Sequence, residues 1–243
     1  GMVLMAWLRL LPLIWLTVLA LFWLVVGEAI TDLVWDPPAW ADPVPALLVA
    51  VHVGQTMVVK YPVIPWTAMM MLGWAFGNYL TRYLAGERSG WTPVRFLTVA
   101  GIGCLLLFVV IRGVNDYGNM FMLRESDHWM HWLYVSKYPP SLGFTVLELG
   151  LLALFLAAFM VLEQRVTVRQ NGPLLVFGQT ALFFYIIHRI VFDASARLFD
   201  LHATMSLGGI YLVSLAMLVF LYPLCLWYRQ YKSAHRDSWV RFI

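Results

Sequence analysis

The sequence predicts an all-α fold: a polytopic transmembrane helical bundle of about six spans, with both termini cytoplasmic. Three observations lead there. Hydrophobic residues make up 62% of the 243 and charged residues 12%, roughly half the charged share of an ordinary soluble domain. Apolar runs of about 20 residues recur along the chain, each long enough to cross ~30 Å of hydrocarbon. Basic residues collect in alternate loops. A β-barrel would show short segments of alternating hydropathy instead.

In chain order, the six spans are expected at 6–26, 64–84, 93–111, 140–162, 174–197 and 206–228. The first run is long, and no small-residue cleavage site follows it, so it reads as a span and not a cleaved leader. Residues 45–59 are also apolar. They are short for a crossing, and His52, Gly54 and Gln55 interrupt them, which suggests a re-entrant or interfacial segment. Asp36-Pro37-Pro38 reads as a loop turn. Cys104 and Cys225 both fall inside apolar runs and read as packing residues, since a metal or disulfide framework needs other spacing. Residues 1–243 form a single transmembrane domain, of which 229–243 is a basic tail along the cytoplasmic headgroups.

The orientation follows from the charges. One set of loops carries Arg9, Arg82, Arg88, Arg95, Arg165, Arg169, Arg229, Lys232, Arg236 and Arg241 against Glu87, Glu163 and Asp237. The other set carries Glu28, Asp32, Asp36, Asp42, Asp116, Glu125, Asp127 and Asp200 with fewer bases. The basic side is cytoplasmic by the positive-inside bias.

Polar residues of chemical interest then gather toward the opposite face. The stretch SKYPPSL (136–142) puts Lys137 and Tyr138 ahead of a proline pair that fixes the entry of a helix. Lys60 and Tyr61 precede the second span in the same way, in KYPVIPW (60–66). Arg112, Asn115, Asp116 and Tyr117 follow the third, and Tyr185, His188, Arg189 and Asp193 lie in the fifth. Glu148 lies in the fourth. A charge deep in a span costs about 2.5–3.5 kcal/mol on the insertion scale, so it normally faces a partner or a wet cavity.

Each residue has a plainer reading as well. Lysine and tyrosine are common interfacial anchors, and Arg112 at a span end can snorkel. An intramembrane histidine such as His188 often serves as an interhelical hydrogen-bonding residue, against a role as base near neutral pH. Arg189 and Asp193, one turn apart, are expected to pair. His128 and His131 are three apart but lack a third ligand at suitable spacing, so no metal site is expected. There is no P-loop, no nucleophile elbow and no nucleic-acid motif.

Four stretches occur in a familiar order: KYPVIPWTAMMMLGWAFG (60–77), RGVNDYGN (112–119), YVSKYPPSLGF (134–144) and PLLVFGQTALFFYIIH (173–188). Over nearly the whole chain this order resembles bacterial membrane proteins related to the catalytic domain of heparan-alpha-glucosaminide N-acetyltransferase, within the transmembrane acyltransferases. The resemblance implies a multi-pass protein of the bacterial inner membrane. It implies transfer of an acetyl or other acyl group, with acetyl-CoA or another acyl-CoA as co-substrate and no tightly bound cofactor. The acceptor would be a hydroxyl or amine, often on a sugar or glycan. Family members usually begin with further spans carrying an Asp…Arg-Gly motif and a catalytic histidine. None of the six histidines here maps onto that residue, so the chain is expected to lack the N-terminal spans.

Two functions follow. In the first, His188, Lys137 and Tyr138 are catalytic. Arg112, Asn115, Tyr117, Tyr185, Lys60 and Tyr61 then bind substrate in a hollow between the second to fifth spans. In the second, the chain is a shortened, non-catalytic subunit, whose partners are the lipid bilayer and a larger membrane complex or further copies of itself.

Overall fold

In the computed structural model the chain is mostly helical, with ten helices among the described residues. The structure describes residues 1–37, 39–87, 90–167, 169–198 and 206–235. Pro38 of the predicted turn, Arg88, Asp200 and the tail from 236 onward lie outside them. The chain divides into two compact units, Gly1–Leu162 and Glu163–Ile243.

The first unit opens with α1 (Met2–Leu8) and α2 (Leu13–Asp32). This corrects the span expected at 6–26. Pro12 has no N–H and disfavours the helical conformation at Leu11, so one helix ends and another starts there. Then come α3 (Pro43–Leu48) and a minimal hairpin, β1 (His52–Val53) with β2 (Val58–Val59). The hairpin is antiparallel, His52 facing Val59 and Val53 facing Val58. Residues 45–59 are therefore a folded connection of short helix and hairpin. The His52 ring bonds to Ala41 O through Nδ1 at 2.7 Å.

Four further helices complete the unit: α4 (Val63–Leu84), α5 (Pro93–Val114), the single turn α6 (Trp129–Leu133) and α7 (Leu142–Arg165), whose last residues pass the boundary. The start of α5 follows from local chemistry. Thr92 Oγ accepts from Arg95 N at 3.2 Å, and Pro93 occupies the first turn, where its missing N–H costs nothing. Helix α7 begins where Ser141 Oγ accepts from Phe144 N at 3.0 Å.

Packing within this unit has three centres. Leu16 and Ala20 of α2 meet Ala68 and Met71 of α4. Ala41, Ala46, Val49 and Ala50 pack around α3. Phe108 and Ile111 of α5 meet Val146 of α7. Helices α5 and α7 approach closely through small residues. A Cβ added at Gly101 would lie 3.0 Å from Gly150 O, the kind of contact by which membrane helices associate.

The second unit holds α8 (Pro173–Gln179), α9 (Ala181–Leu198) and α10 (Leu207–Ala234). The span expected at 174–197 is broken: α8 and α9 meet at 91°. Thr180 sits at the break with non-helical φ −119° and ψ 26°, fully buried, its hydroxyl donating to Val176 O at 2.8 Å. Such back-bonding by threonine bends helices. Helix α10 packs on both halves, with Phe183 stacked on Tyr228 at 4.0 Å. Tyr222 donates to Asn171 O at 2.6 Å and Arg229 to Asn171 Oδ1 at 2.7 Å, which ties the turn before α8 to α10.

Helices α2, α5, α7 and α10 are long and apolar enough to cross a membrane, and the bent α8–α9 pair would be a fifth if it is one span. Helix α4 has the length, at 22 residues. Its Asn78, Thr81 and Arg82 leave it less apolar than those four.

Candidate functional site

Two Lys-Tyr-Pro segments, 60–62 and 137–139, meet in the first unit. Each is the corner from which a long helix departs, α4 after the first and α7 after the second. Pro62 and Pro139 are buried and hold the corners, and the Tyr138–Pro139 bond is cis. Ser136 Oγ donates to Pro139 O at 2.9 Å, and Ser141 N to Ser136 O at 3.0 Å, closing the second corner on itself. The backbone is thus fixed by prolines and internal hydrogen bonds, while the Lys and Tyr side chains point outward. Lys60 and Lys137 are exposed; Tyr61 is 60% and Tyr138 37% exposed.

The two phenols touch. Tyr61 OH and Tyr138 OH are 2.9 Å apart, and their rings pack edge to face with centroids 5.2 Å apart. Such pairs gain from the quadrupoles of both rings. Lys137 Nζ lies 5.5 Å from the Tyr138 ring centroid. Beneath the pair, Trp66 packs on Tyr61 at 5.5 Å and on Phe144 at 6.4 Å. The Tyr138 hydroxyl is held below the ordinary phenol value, first by the hydrogen bond with Tyr61 and then by the charges of Lys137 and Lys60. Both ammonium groups therefore act on one phenol oxygen. Chemically the arrangement offers positive charge and an O–H donor at a fixed place beside apolar helices.

The RGVNDYGN stretch does something else. Arg112 is 1% exposed. Its Nε donates to Trp132 O at 3.2 Å. One terminal nitrogen donates to Asn119 Oδ1 at 2.6 Å and Met122 O at 3.0 Å, the other to His131 O and to Tyr134 O at 3.2 Å. A guanidinium has five N–H donors, and all five are taken by the 119–134 loop. Arg112, expected to contact a substrate, has no donor left for one.

Asn115 and Tyr117 are likewise used by the protein. Asn115 ends α5 in the left-handed conformation, φ 57°, a position asparagine tolerates. Its side chain exchanges two hydrogen bonds with the Arg124 backbone, at 2.9 and 2.6 Å. Tyr117 donates to Val25 O of α2 at 2.5 Å.

The sequence reading missed Glu28. It was counted only as a loop charge, yet it sits four residues before the end of α2. Its Oε1 accepts from Met120 N at 2.9 Å, within a turn where Gly118, Met120 and Phe121 all have positive φ. Its Oε2 is buried without a hydrogen-bond partner among the described residues. It lines a small cavity of about 10 Å³ with Thr145 and Pro140 of the second corner. The sequence carried no signal for this, since Glu28 lies beyond the span expected at 6–26 and only the extension of α2 to Asp32 places it inside a helix.

His188 and Tyr185 belong to the second unit. His188 Nδ1 lies 2.9 Å from Phe184 O, its own helix one turn back, and the ring stacks on Phe184 at 5.1 Å. Nε2 is the ring nitrogen left for other work. Tyr185 is 60% exposed and packs edge-on to His188 at 5.5 Å. Among the described residues Asp193 forms its ion pair with Arg197, at 3.0 Å, and not the expected one with Arg189. Both residues lie one turn from Asp193, and the orientation with the acid N-terminal to the base is the better one on a helix.

These features are consistent with a multi-pass helical membrane protein: four helices can cross a membrane, and a polar, cationic cluster stands where two long helices begin. Compared with family models, curated proteins and solved structures, the chain has no match.

Proposed function

We propose that the protein takes part in acyl transfer at a membrane, with the paired Lys-Tyr-Pro corners as its polarising site. The observation that carries this is the Tyr61–Tyr138 hydrogen bond beside Lys137. It joins two of the motifs on which the acyltransferase resemblance rests. In acyl transfer, an acceptor oxygen or nitrogen bonds to the acyl carbon while the thioester C–S bond breaks. The acceptor's proton passes to a base and the thiol leaves protonated. The carbonyl oxygen gains negative charge in the intermediate, and pre-placed donors lower that barrier. Tyr138 O–H supplies such a donor, and Lys137 and Lys60 supply charge. Acetyl-CoA or another acyl-CoA is the proposed donor, and a sugar or other hydroxyl or amine the acceptor. The proposed setting is a bacterial inner membrane, with the corners on the face opposite the basic loops.

The test uses the full chain in its native membranes with labelled acetyl-CoA. Label should appear in a glycan or lipid fraction. Tyr138→Phe and Lys137→Ala should each lower its rate by tenfold or more. Transfer that is the same with both variants would contradict the assignment. No transfer at all, together with stoichiometric co-purification in a larger complex, would favour the non-catalytic subunit instead.

A further inference from the structure

The chain has only three lysines, Lys60, Lys137 and Lys232, against thirteen arginines. Two of the three stand at the same position of the two paired corners. The arginines do the structural work, as Arg112, Arg124 and Arg229 show, each donating to several backbone or side-chain oxygens. The corner lysines differ. Both are exposed, and among the described residues neither forms an ion pair. Lys137 Nζ lies 5.5 Å from the Tyr138 ring centroid, and Lys60 adjoins Tyr61, whose hydroxyl is 2.9 Å from that of Tyr138. The two hydroxyls share that hydrogen bond, and a phenol O–H can both donate and accept at the same spot.

From this juxtaposition we infer that the two corners form a binding site for the phosphate group of an anionic amphiphile at the membrane surface. Three features fit that chemistry. Ammonium groups act as compact point charges for phosphate, and two of them match its charge. A phenol O–H adds a directed hydrogen bond to a phosphate oxygen. The second corner lies where α7, long and apolar enough to cross a membrane, begins, and Lys and Tyr at the end of a membrane helix stand at headgroup depth. An amphiphile there keeps its phosphate on the corners and its chains along the apolar helix faces. The inference deepens the proposed function, for which it makes the acceptor a phosphate-bearing amphiphile; the binding itself needs no acyl donor.

The test is equilibrium binding to the purified full chain in neutral detergent, read by native mass spectrometry. The probes are dioctanoyl phosphatidic acid, dioctanoyl phosphatidylcholine and inorganic phosphate. Phosphatidic acid should bind in preference to phosphatidylcholine. An interfacial lysine contributes about fivefold to an anionic lipid, so Lys60→Ala/Lys137→Ala should weaken phosphatidic acid about 25-fold. Tyr138→Phe should weaken it several-fold, and Lys232→Ala should leave it unchanged. All three are surface changes, and circular dichroism checks that the double variant keeps its helices. Inorganic phosphate that binds as tightly, with the same loss in the double variant, supports the phosphate site with a soluble source. Much weaker inorganic phosphate supports the amphiphile. Equal binding of phosphatidic acid to wild type and double variant overturns the inference, as does equal binding of the two lipids. If the double variant loses the lipid while label transfer continues, the catalytic reading of the corners fails and this one stands.

Discussion

Replacing Arg112 should release the loop it holds. The guanidinium is buried and donates to Trp132 O, His131 O, Tyr134 O, Met122 O and Asn119 Oδ1. Each bond from a charged donor contributes about 1.5–3 kcal/mol, but the five share one side chain and do not add. Removing one partner of a buried charged set costs about 3–5 kcal/mol, and we take that range for Arg112→Leu. Arg112→Lys keeps the charge and has three donors. It leaves at least two of the five acceptors unmet, at about 1 kcal/mol each, so it should cost roughly 2 kcal/mol. Hydrogen exchange of the protein in nanodiscs reads this locally. In Arg112→Leu, amides of 119–134 should exchange about 100-fold faster or more, since 1.4 kcal/mol is tenfold. Arg112→Lys should fall between that and wild type, while the amides of α10 stay unchanged. If both variants exchange like wild type over 119–134, the hydrogen-bond accounting is wrong.

Other expectations follow from single contacts. Glu28→Leu leaves Met120 N–H without its acceptor, a loss of about 1–3 kcal/mol. It should speed exchange over 118–121, with Glu28→Gln affected less. Gly101→Ala would put a Cβ 2.8 Å from Leu154 Cγ and 3.0 Å from Gly150 O, whereas Gly103 has open space. Overpacking of this kind costs about 1–3 kcal/mol, so Gly101→Ala should lower the melting temperature in detergent and Gly103→Ala should not. Tyr138 should ionise at lower pH than an ordinary phenol, because Tyr61 and the lysines favour its charged form. A depressed folded value adds stability in full above the unfolded value near 10, in part between the two values, and none once pH has fallen below the folded value, so it contributes nothing at neutral pH. Ultraviolet difference titration should show an early phenolate component that Tyr138→Phe removes and Tyr61→Phe moves to higher pH.

Much of the architecture was legible because hydrophobic length is a strong signal. Helices α5, α7 and α10 lie close to their expected bounds, marked by Thr92-Pro93, Pro140-Ser141 and Ser206. Helix α2 was misplaced because apolarity runs unbroken through Pro12, and only backbone chemistry ends the helix there. The break at Thr180 carries no proline; a buried threonine bonding back to Val176 decides it. In the site, Lys60, Tyr61, Lys137 and Tyr138 were legible as polar heads at helix entries. Their meeting was not, because pairing across 77 residues leaves no local trace. Arg112 and Asn115 have the residue types of a binding site, but which oxygens they satisfy depends on how the 115–134 loop folds back. Glu28 was passed over because its partner amides belong to a turn 92 residues away.

The central claim is that the two Lys-Tyr-Pro corners meet in one site, and mild photo-oxidative cross-linking of native tyrosines tests it on the unaltered chain. Phenol rings at 5.2 Å should couple within one molecule, giving a dityrosine peptide that joins residues 61 and 138 and is lost in Tyr61→Phe. Efficient coupling at other tyrosine pairs with none between 61 and 138 would contradict the account.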